Sequence, residues 1–143
     1  MEMKPSKLSP TTLARLERAA RKAAASAYAP YSHFPVGAAI LTATGKIYAG
    51  GNVENASYGL SNCAERTAIF HALAAGEKKL PLRCVVVYTP TQTATAPCGA
   101  CRQVIHEFGP DARIISCCDG PDRLDTSVAA LLPHAFGPEN LAR

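Results

Sequence analysis

The chain has 143 residues, of which 48% are hydrophobic and only 18% charged, and its formal net charge is +4. This composition excludes an intrinsically disordered chain, and the length suits a single domain with its own core. No apolar run reaches the roughly 18 residues of a membrane-spanning helix, and no apolar N-terminal run indicates a signal peptide. We therefore expect a cytoplasmic protein with no membrane partner.

The basic excess lies entirely in residues 1–22, and from residue 23 onward nine basic residues balance nine acidic ones. This distribution favours a solvated face on a first helix, with an organellar targeting segment as the alternative. A nucleic-acid-binding protein carries a basic stripe beside its site, and the remaining sequence offers none. We therefore expect no nucleic-acid partner.

The first half of the chain predicts a helix followed by a β-hairpin and a long loop. Pro10 marks the start of a helix with apolar residues at every third or fourth position, and Pro30 marks its end. The β-type runs at 36–42 and 46–49 flank a Thr-Gly turn and predict the hairpin. The polar loop at 50–62 is long enough to indicate function.

The second half predicts alternating strands and helices. In chain order these are a helix at 63–75, a central strand at 83–89, a helix at 98–108, a strand at 112–117, a candidate edge strand at 120–126 and a short helix at 127–132. Strand–helix–strand order implies a parallel pair with a right-handed crossover. The fold class is therefore α/β, a three-layer sandwich with a mixed sheet of about five strands, in a single domain over residues 1–143.

Three cysteines predict a metal centre. Cys98 and Cys101 form a P-C-x-x-C motif at a helix start, and Cys63 also begins a helix. Helix N-termini favour thiolates, and three protein ligands with an open fourth position are typical of catalytic zinc. Two alternatives stay open: thiol redox chemistry at C-x-x-C, and a closed site completed by Cys117 or Cys118.

Glu65 stands two residues after Cys63 and has two interpretations. With Asn62 as N-cap, it fits the third position of a capping box. A carboxylate within one turn of a zinc ligand can also take a proton from water. Zinc nucleobase deaminases combine three protein ligands, a non-ligating glutamate and a downstream P-C-x-x-C, which favours the second interpretation.

The motifs also carry a resemblance to a known family. The relevant segments are Cys63-Ala64-Glu65-Arg66, Pro97-Cys98-Gly99-Ala100-Cys101-Arg102-Gln103, and the stretches 31–39, 52–59 and 131–136. Over about residues 13–136 the chain resembles the short-chain, homotetrameric, zinc-dependent cytidine deaminases. The resemblance is weakest at 118–126.

The resemblance implies hydrolytic deamination of cytidine and deoxycytidine, a reaction of pyrimidine salvage, with one Zn²⁺ per subunit. It implies that Glu65 moves the protons and that Arg66 hydrogen-bonds the thiolates. It also implies that substrate-binding residues from neighbouring subunits share each site. Those substrate-binding residues are Phe34 beside the base, Asn52 and Glu54 at the ribose, Ala64 through its backbone, and Ala56, Tyr58 and Phe136 across the subunit boundary.

Three other functions remain as alternatives. One is a deaminase for another aminopyrimidine nucleoside, such as an antibiotic, although Phe34 and Glu54 favour cytidine. Another is a nucleic-acid-editing module, which needs a basic channel and stacking aromatics; only 6% of the residues are aromatic. The third is a structural zinc protein without catalysis.

The apolar helix at 63–75 predicts contact with both the sheet and a second subunit.

Overall fold

A mixed five-stranded sheet forms the middle layer of the computed structural model, which describes residues 7–78 and 81–141. The strands are β1 (Gly37–Leu41), β2 (Ile47–Gly51), β3 (Cys84–Tyr88), β4 (Arg113–Cys117) and β5 (Leu124–Ser127). Their spatial order is β2-β1-β3-β4-β5, and β3 and β4 form the one parallel pair among these strands. The predicted mixed sheet is confirmed.

Four helices cover the two faces of the sheet. They are α1 (Pro10–Ala25), α2 (Ala64–Ala74), α3 (Gly99–Phe108) and α4 (Val128–Leu131). Helix α1 packs on one face, where Leu16 and Val86 belong to the same buried cluster. Helices α2, α3 and α4 contribute Ile69, Ile105 and Val128 to the core on the other face. The sheet is thus buried on both sides, which confirms the three-layer sandwich and explains the continuous apolar run of β3.

The predicted end of the first helix is wrong. Helix α1 ends at Ala25, five residues before Pro30. The reason is tertiary: the Tyr28 amide donates to the Asn52 carbonyl at 2.9 Å, and Tyr28 pairs with Val53 as an isolated bridge. The loop after β2 therefore takes up the backbone groups that a longer helix would have used.

The edge strand also lies later than predicted. Strand β5 occupies Leu124–Ser127 rather than 120–126, and it pairs antiparallel with β4. Residues 118–123 instead form a loop that contacts other parts of the molecule.

Of the basic residues at 1–22, Lys4 lies outside the described residues. Within the described ranges, every helix is too short or too polar to cross a bilayer.

Candidate metal centre and adjoining cleft

Three thiols from two helix starts meet at one point. The sulfurs of Cys63, Cys98 and Cys101 all lie within 4.8 Å of one another, and 3.9 Å separates Cys63 Sγ from Cys98 Sγ. Cys117 and Cys118 lie elsewhere: Cys117 Sγ donates to the Val87 carbonyl at 3.5 Å, and Cys118 Sγ donates to the Asp122 carbonyl at 3.3 Å. The alternative in which one of them completes a closed site is therefore wrong.

Cysteine occupies the N-cap position of both helices. Cys63 caps α2 and Cys98 caps α3, and neither side chain makes a capping hydrogen bond. Serine, threonine, aspartate or asparagine at this position would stabilise the helix further. The capping box is not formed: Asn62 instead donates from Nδ2 to Thr67 Oγ1 at 3.1 Å. Both helices thus lack a side-chain cap, and the partial positive charge at each helix N-terminus faces the thiols.

Arg66 supplies positive charge to this cluster. Its Nη2 donates to Cys63 Sγ at 3.2 Å, and this hydrogen bond raises the pKa of Arg66, which stays charged. Hydrogen bonds from the Cys101 thiol and then from Arg66 lower the pKa of Cys63 to about 5. The pKa of Cys101 is raised because it donates to Cys63 and is buried. A cation that binds here displaces the remaining protons.

The donor set and its spacing fit zinc. Adjacent sulfurs of a tetrahedral site with Zn–S bonds of about 2.3 Å are about 3.8 Å apart, close to the 3.9 Å between Cys63 Sγ and Cys98 Sγ. Thiolates are the ligands that select zinc over hard cations such as Mg²⁺. Among the residues that the structure describes, no other group of cysteine, histidine and acidic side chains comes together in this way.

The metal centre opens onto a cleft of about 340 Å³. Cys63, Cys98 and Glu65 line it, whereas Cys101 lies behind them and is fully buried. Glu65 is only 5% exposed, and this burial raises the pKa of its carboxyl group. The neighbouring Cys63 thiolate acts in the same direction. A carboxyl group with a raised pKa suits transfer of a proton in both directions near neutral pH.

The far end of the cleft contains Phe34, Asn52 and Glu54. The Asn52 side chain accepts from the Val36 amide and donates to the Phe34 carbonyl, both at 2.9 Å, and so fixes the segment that carries Phe34. Glu54 Oε1 accepts from the amide of Tyr31 at 3.0 Å. Hydrogen bonds from Ser32 and then from Tyr31 lower the pKa of Glu54, so the cleft ends in a carboxylate.

Three of the predicted substrate-binding residues do not line this cleft. Ala56 is exposed on the loop between β2 and α2. Tyr58 is 74% exposed beside Tyr31 in an adjoining hollow, and Phe136 is 59% exposed. The chain by itself therefore brings together Phe34, Asn52, Glu54, Ala64 and Glu65, with the three thiols, and leaves those three outside.

Sequence reasoning missed one wall of the cleft. Thr89, at the end of β3, and Thr95 and Ala96, in the following loop, all line it. A polar loop at the carboxyl end of a central strand was the available signal, because such ends position sites in α/β folds. Arg102 fixes the same region: it donates to the Pro97 carbonyl at 2.7 Å and to the Leu131 carbonyl at 3.0 Å.

The chain is similar to a well-defined set of proteins. Residues 10–117 match the family model for the cytidine and deoxycytidylate deaminase zinc-binding region. A cytidine deaminase of Sporosarcina psychrophila is 47% identical over 124 residues, which cover 85% of this chain and 89% of that protein. A cytidine deaminase of Halalkalibacterium halodurans is 43% identical over 127 residues, covering 88% and 95%.

Solved structures agree with the sequence comparison. The crystal structure of cytidine deaminase from Burkholderia pseudomallei superposes with a TM-score of 0.81 at 48% identity, covering 90% of this chain and all of that chain. The structure from Mycobacterium tuberculosis gives a TM-score of 0.73 at 38% identity, with 87% and 97% covered. The similarity thus extends over most of the fold.

Proposed function

The chain belongs to the zinc-binding cytidine and deoxycytidylate deaminase family, and on that premise we propose that it hydrolyses cytidine and deoxycytidine to uridine and deoxyuridine, releasing ammonia. The observation that carries this proposal is the placement of three thiols at zinc spacing in the same cleft as a buried glutamate. The place of the protein in pyrimidine salvage follows from this proposed reaction.

Cys63, Cys98 and Cys101 would hold the cofactor, Zn²⁺. When bound, zinc supplies a Lewis acid that lowers the pKa of a water molecule to near neutrality. Arg66 and the two helix N-termini offset the negative charge of three thiolates, which would otherwise keep that pKa high.

Glu65 is the group that moves protons in this proposal. Its carboxylate takes a proton from the attacking water and delivers it to N3 of the cytosine ring. After the water oxygen has bonded to C4, Glu65 takes the remaining proton of this hydroxyl group and passes it to the exocyclic amine. The C4–N bond then breaks as the C4 carbonyl forms, and ammonia is released. Burial in the cleft keeps the pKa of Glu65 high enough for both transfers.

The charge of the cleft supports a nucleoside substrate over a nucleotide. Glu54 is ionised, and its carboxylate accepts hydrogen bonds from neutral ribose hydroxyls but repels a phosphate. Asn52 lies beside it, and Phe34 provides an aromatic face for the pyrimidine. The Ala64 backbone, at the first turn of α2, lies beside the base.

We propose a homotetramer in which neighbouring subunits complete each cleft. Tyr58 and Phe136 are large, exposed and outside their own cleft, and α2 exposes Phe70 at 45% and Leu73 at 37%. Exposed apolar surface of this kind marks an interaction site. Ala56 lies on the same exposed loop as Tyr58.

Complementation tests the shared site. Glu65→Gln chains and Phe136→Ala chains are each expected to be nearly inactive. When the two are denatured, mixed and refolded together, some clefts combine an intact Glu65 with an intact Phe136 from the neighbour. We expect recovered activity in the mixture and a tetrameric mass by sedimentation. A monomer, or a mixture no more active than its components, would contradict the shared site.

Two further proposals follow from the same features. All six cysteines are free thiols, and free thiols persist in a reducing compartment, which supports a cytoplasmic location. The two cores share one sheet, which supports a single domain over residues 1–143.

A direct assay tests the activity. Loss of the cytidine absorbance band is expected with cytidine and deoxycytidine, and not with deoxycytidylate or a single-stranded oligonucleotide. Prolonged treatment with a strong zinc chelator should abolish turnover, and added Zn²⁺ should restore it. Zinc binding without turnover would instead favour a structural metal site, and turnover of the oligonucleotide alone would favour an editing module.

A further inference from the structure

Residues 118–122, in the loop between β4 and β5, pack against the loop that forms one wall of the cleft. The Asp119 amide donates to the Thr91 carbonyl at 2.8 Å, and Asp122 Oδ2 accepts from the Ala94 amide at 2.8 Å. Between these contacts Gly120 approaches Gln92 so closely that a Cβ on residue 120 would lie 2.1 Å from the Gln92 carbonyl oxygen. The two loops therefore fit together through three contacts, two between backbone groups and one from the Asp122 side chain.

The far side of the 118–122 loop is held by the body of the protein. Arg21 of α1 donates to the Cys118 carbonyl at 3.0 Å and lies over the Tyr88 ring, 4.5 Å from its centre. The Tyr88 hydroxyl donates to Asp119 at 2.6 Å. Within the loop, the Cys118 thiol donates to the Asp122 carbonyl at 3.3 Å. These contacts make the loop a fixed support rather than a free connection.

The wall that this support holds leads directly into the active centre. Thr95 and Ala96 line the cleft, and Pro97 and Cys98 follow them in the chain. The wall is otherwise restrained by hydroxyl contacts of its own threonines, such as that of Thr89 Oγ1 with Thr91 Oγ1 at 2.8 Å. A displacement of the wall by a fraction of an ångström would alter the space available to the substrate.

We propose that Gly120 and Asp122 are positioning residues for substrate binding, acting through the 91–96 wall. This inference rests on the proposed deaminase function. It concerns a stretch outside the match to the family model, which ends at residue 117. Gly120 permits the close approach to Gln92 because it has no side chain, and Asp122 accepts a hydrogen bond from the Ala94 amide.

Two substitutions disturb the contact by different means. Gly120→Ala adds a methyl group that pushes the wall away from the loop, and we expect it to raise the KM for cytidine about tenfold while kcat changes less than about threefold. Asp122→Ala removes the acceptor, and we expect it to raise KM about threefold. Asp122→Asn retains an acceptor oxygen, and we expect a KM close to that of the unaltered protein. Asp111→Ala, at an exposed aspartate away from both loops, is the matched control.

Deuterium exchange provides a readout that does not need activity. Peptides covering residues 90–97 should exchange faster in Gly120→Ala and Asp122→Ala than in Asp122→Asn or Asp111→Ala, with zinc content equal in all. A lowered melting temperature with unchanged KM and unchanged exchange would overturn the proposal. If the unaltered protein fails to deaminate cytidine, the proposed function fails, and the exchange result alone decides whether the loop positions the wall.

Discussion

Replacement of Glu65 with glutamine is expected to lower kcat for cytidine by about 10³-fold or more, because in the proposed mechanism one carboxyl group performs both proton transfers. Glutamine has nearly the same shape and can still hydrogen-bond, but it cannot take a proton from water. Since Glu65 is 5% exposed in the cleft, the uncharged amide should be accommodated without loss of fold. Steady-state kinetics and a thermal melt measure the two effects.

The zinc content of the variant distinguishes loss of the carboxyl group from damage to the metal site. Glu65→Gln should retain one zinc per chain, because the ligands are the thiols of Cys63, Cys98 and Cys101. Glu107→Gln, which makes the same change at an exposed glutamate on α3, should leave kcat unchanged. An active Glu65→Gln variant, or one that had lost its zinc, would refute the assigned role.

Replacement of Cys101 with alanine is expected to remove zinc and all measurable activity. Cys101 is fully buried behind the cleft and is one of only three thiols in the cluster, so two sulfurs would remain to hold the ion. Loss of one thiolate lowers the affinity for zinc steeply, because catalytic zinc sites use three protein ligands and leave the fourth position open. Zinc per chain after dialysis and turnover of cytidine measure the outcome.

Cys84 offers a matched control within the same sheet. It is also fully buried, but it lies in β3 on the α1 side of the sheet, away from the cluster, and burial raises the pKa of its thiol to about 12. Cys84→Ala should lower the melting temperature through a small cavity yet retain zinc and activity. Equal zinc contents in Cys101→Ala and Cys84→Ala would contradict the assignment of the metal ligands.

Much of the site was predictable because its signals are local. Cys98 and Cys101 lie one helical turn apart, a spacing typical of two ligands for one ion or of a redox thiol pair, and Cys63 at the start of the other helix favours the ion. Cys63 and Glu65 begin the other helix, and the order of the segments around them indicated the family. The capping box, the alternative interpretation of Glu65, is not formed because Asn62 and Cys63 are adjacent candidates for the N-cap, and the helix begins after Cys63.

Contacts between distant segments were not predictable in this way. The Asn52 carbonyl, which accepts from Tyr28, ends α1 early, and the amides of Tyr31 and Ser32 hold Glu54 from 23 and 22 positions away. The shift of the edge strand to 124–127 has the same origin, since residues 118–122 are taken up by contacts with the 91–94 loop. No periodicity in the sequence encodes such partners.

Local signals in the chain predicted the sandwich of helices and strands and the three cysteines that come together as candidate metal ligands, because helix starts, buried apolar runs and ligand spacing depend on neighbouring residues. The loops that form the cleft, and the positions of Tyr58 and Phe136 outside it, became known from the three-dimensional arrangement of the chain. Loop positions follow from how the backbone donors and acceptors of remote segments are satisfied once the sheet has packed.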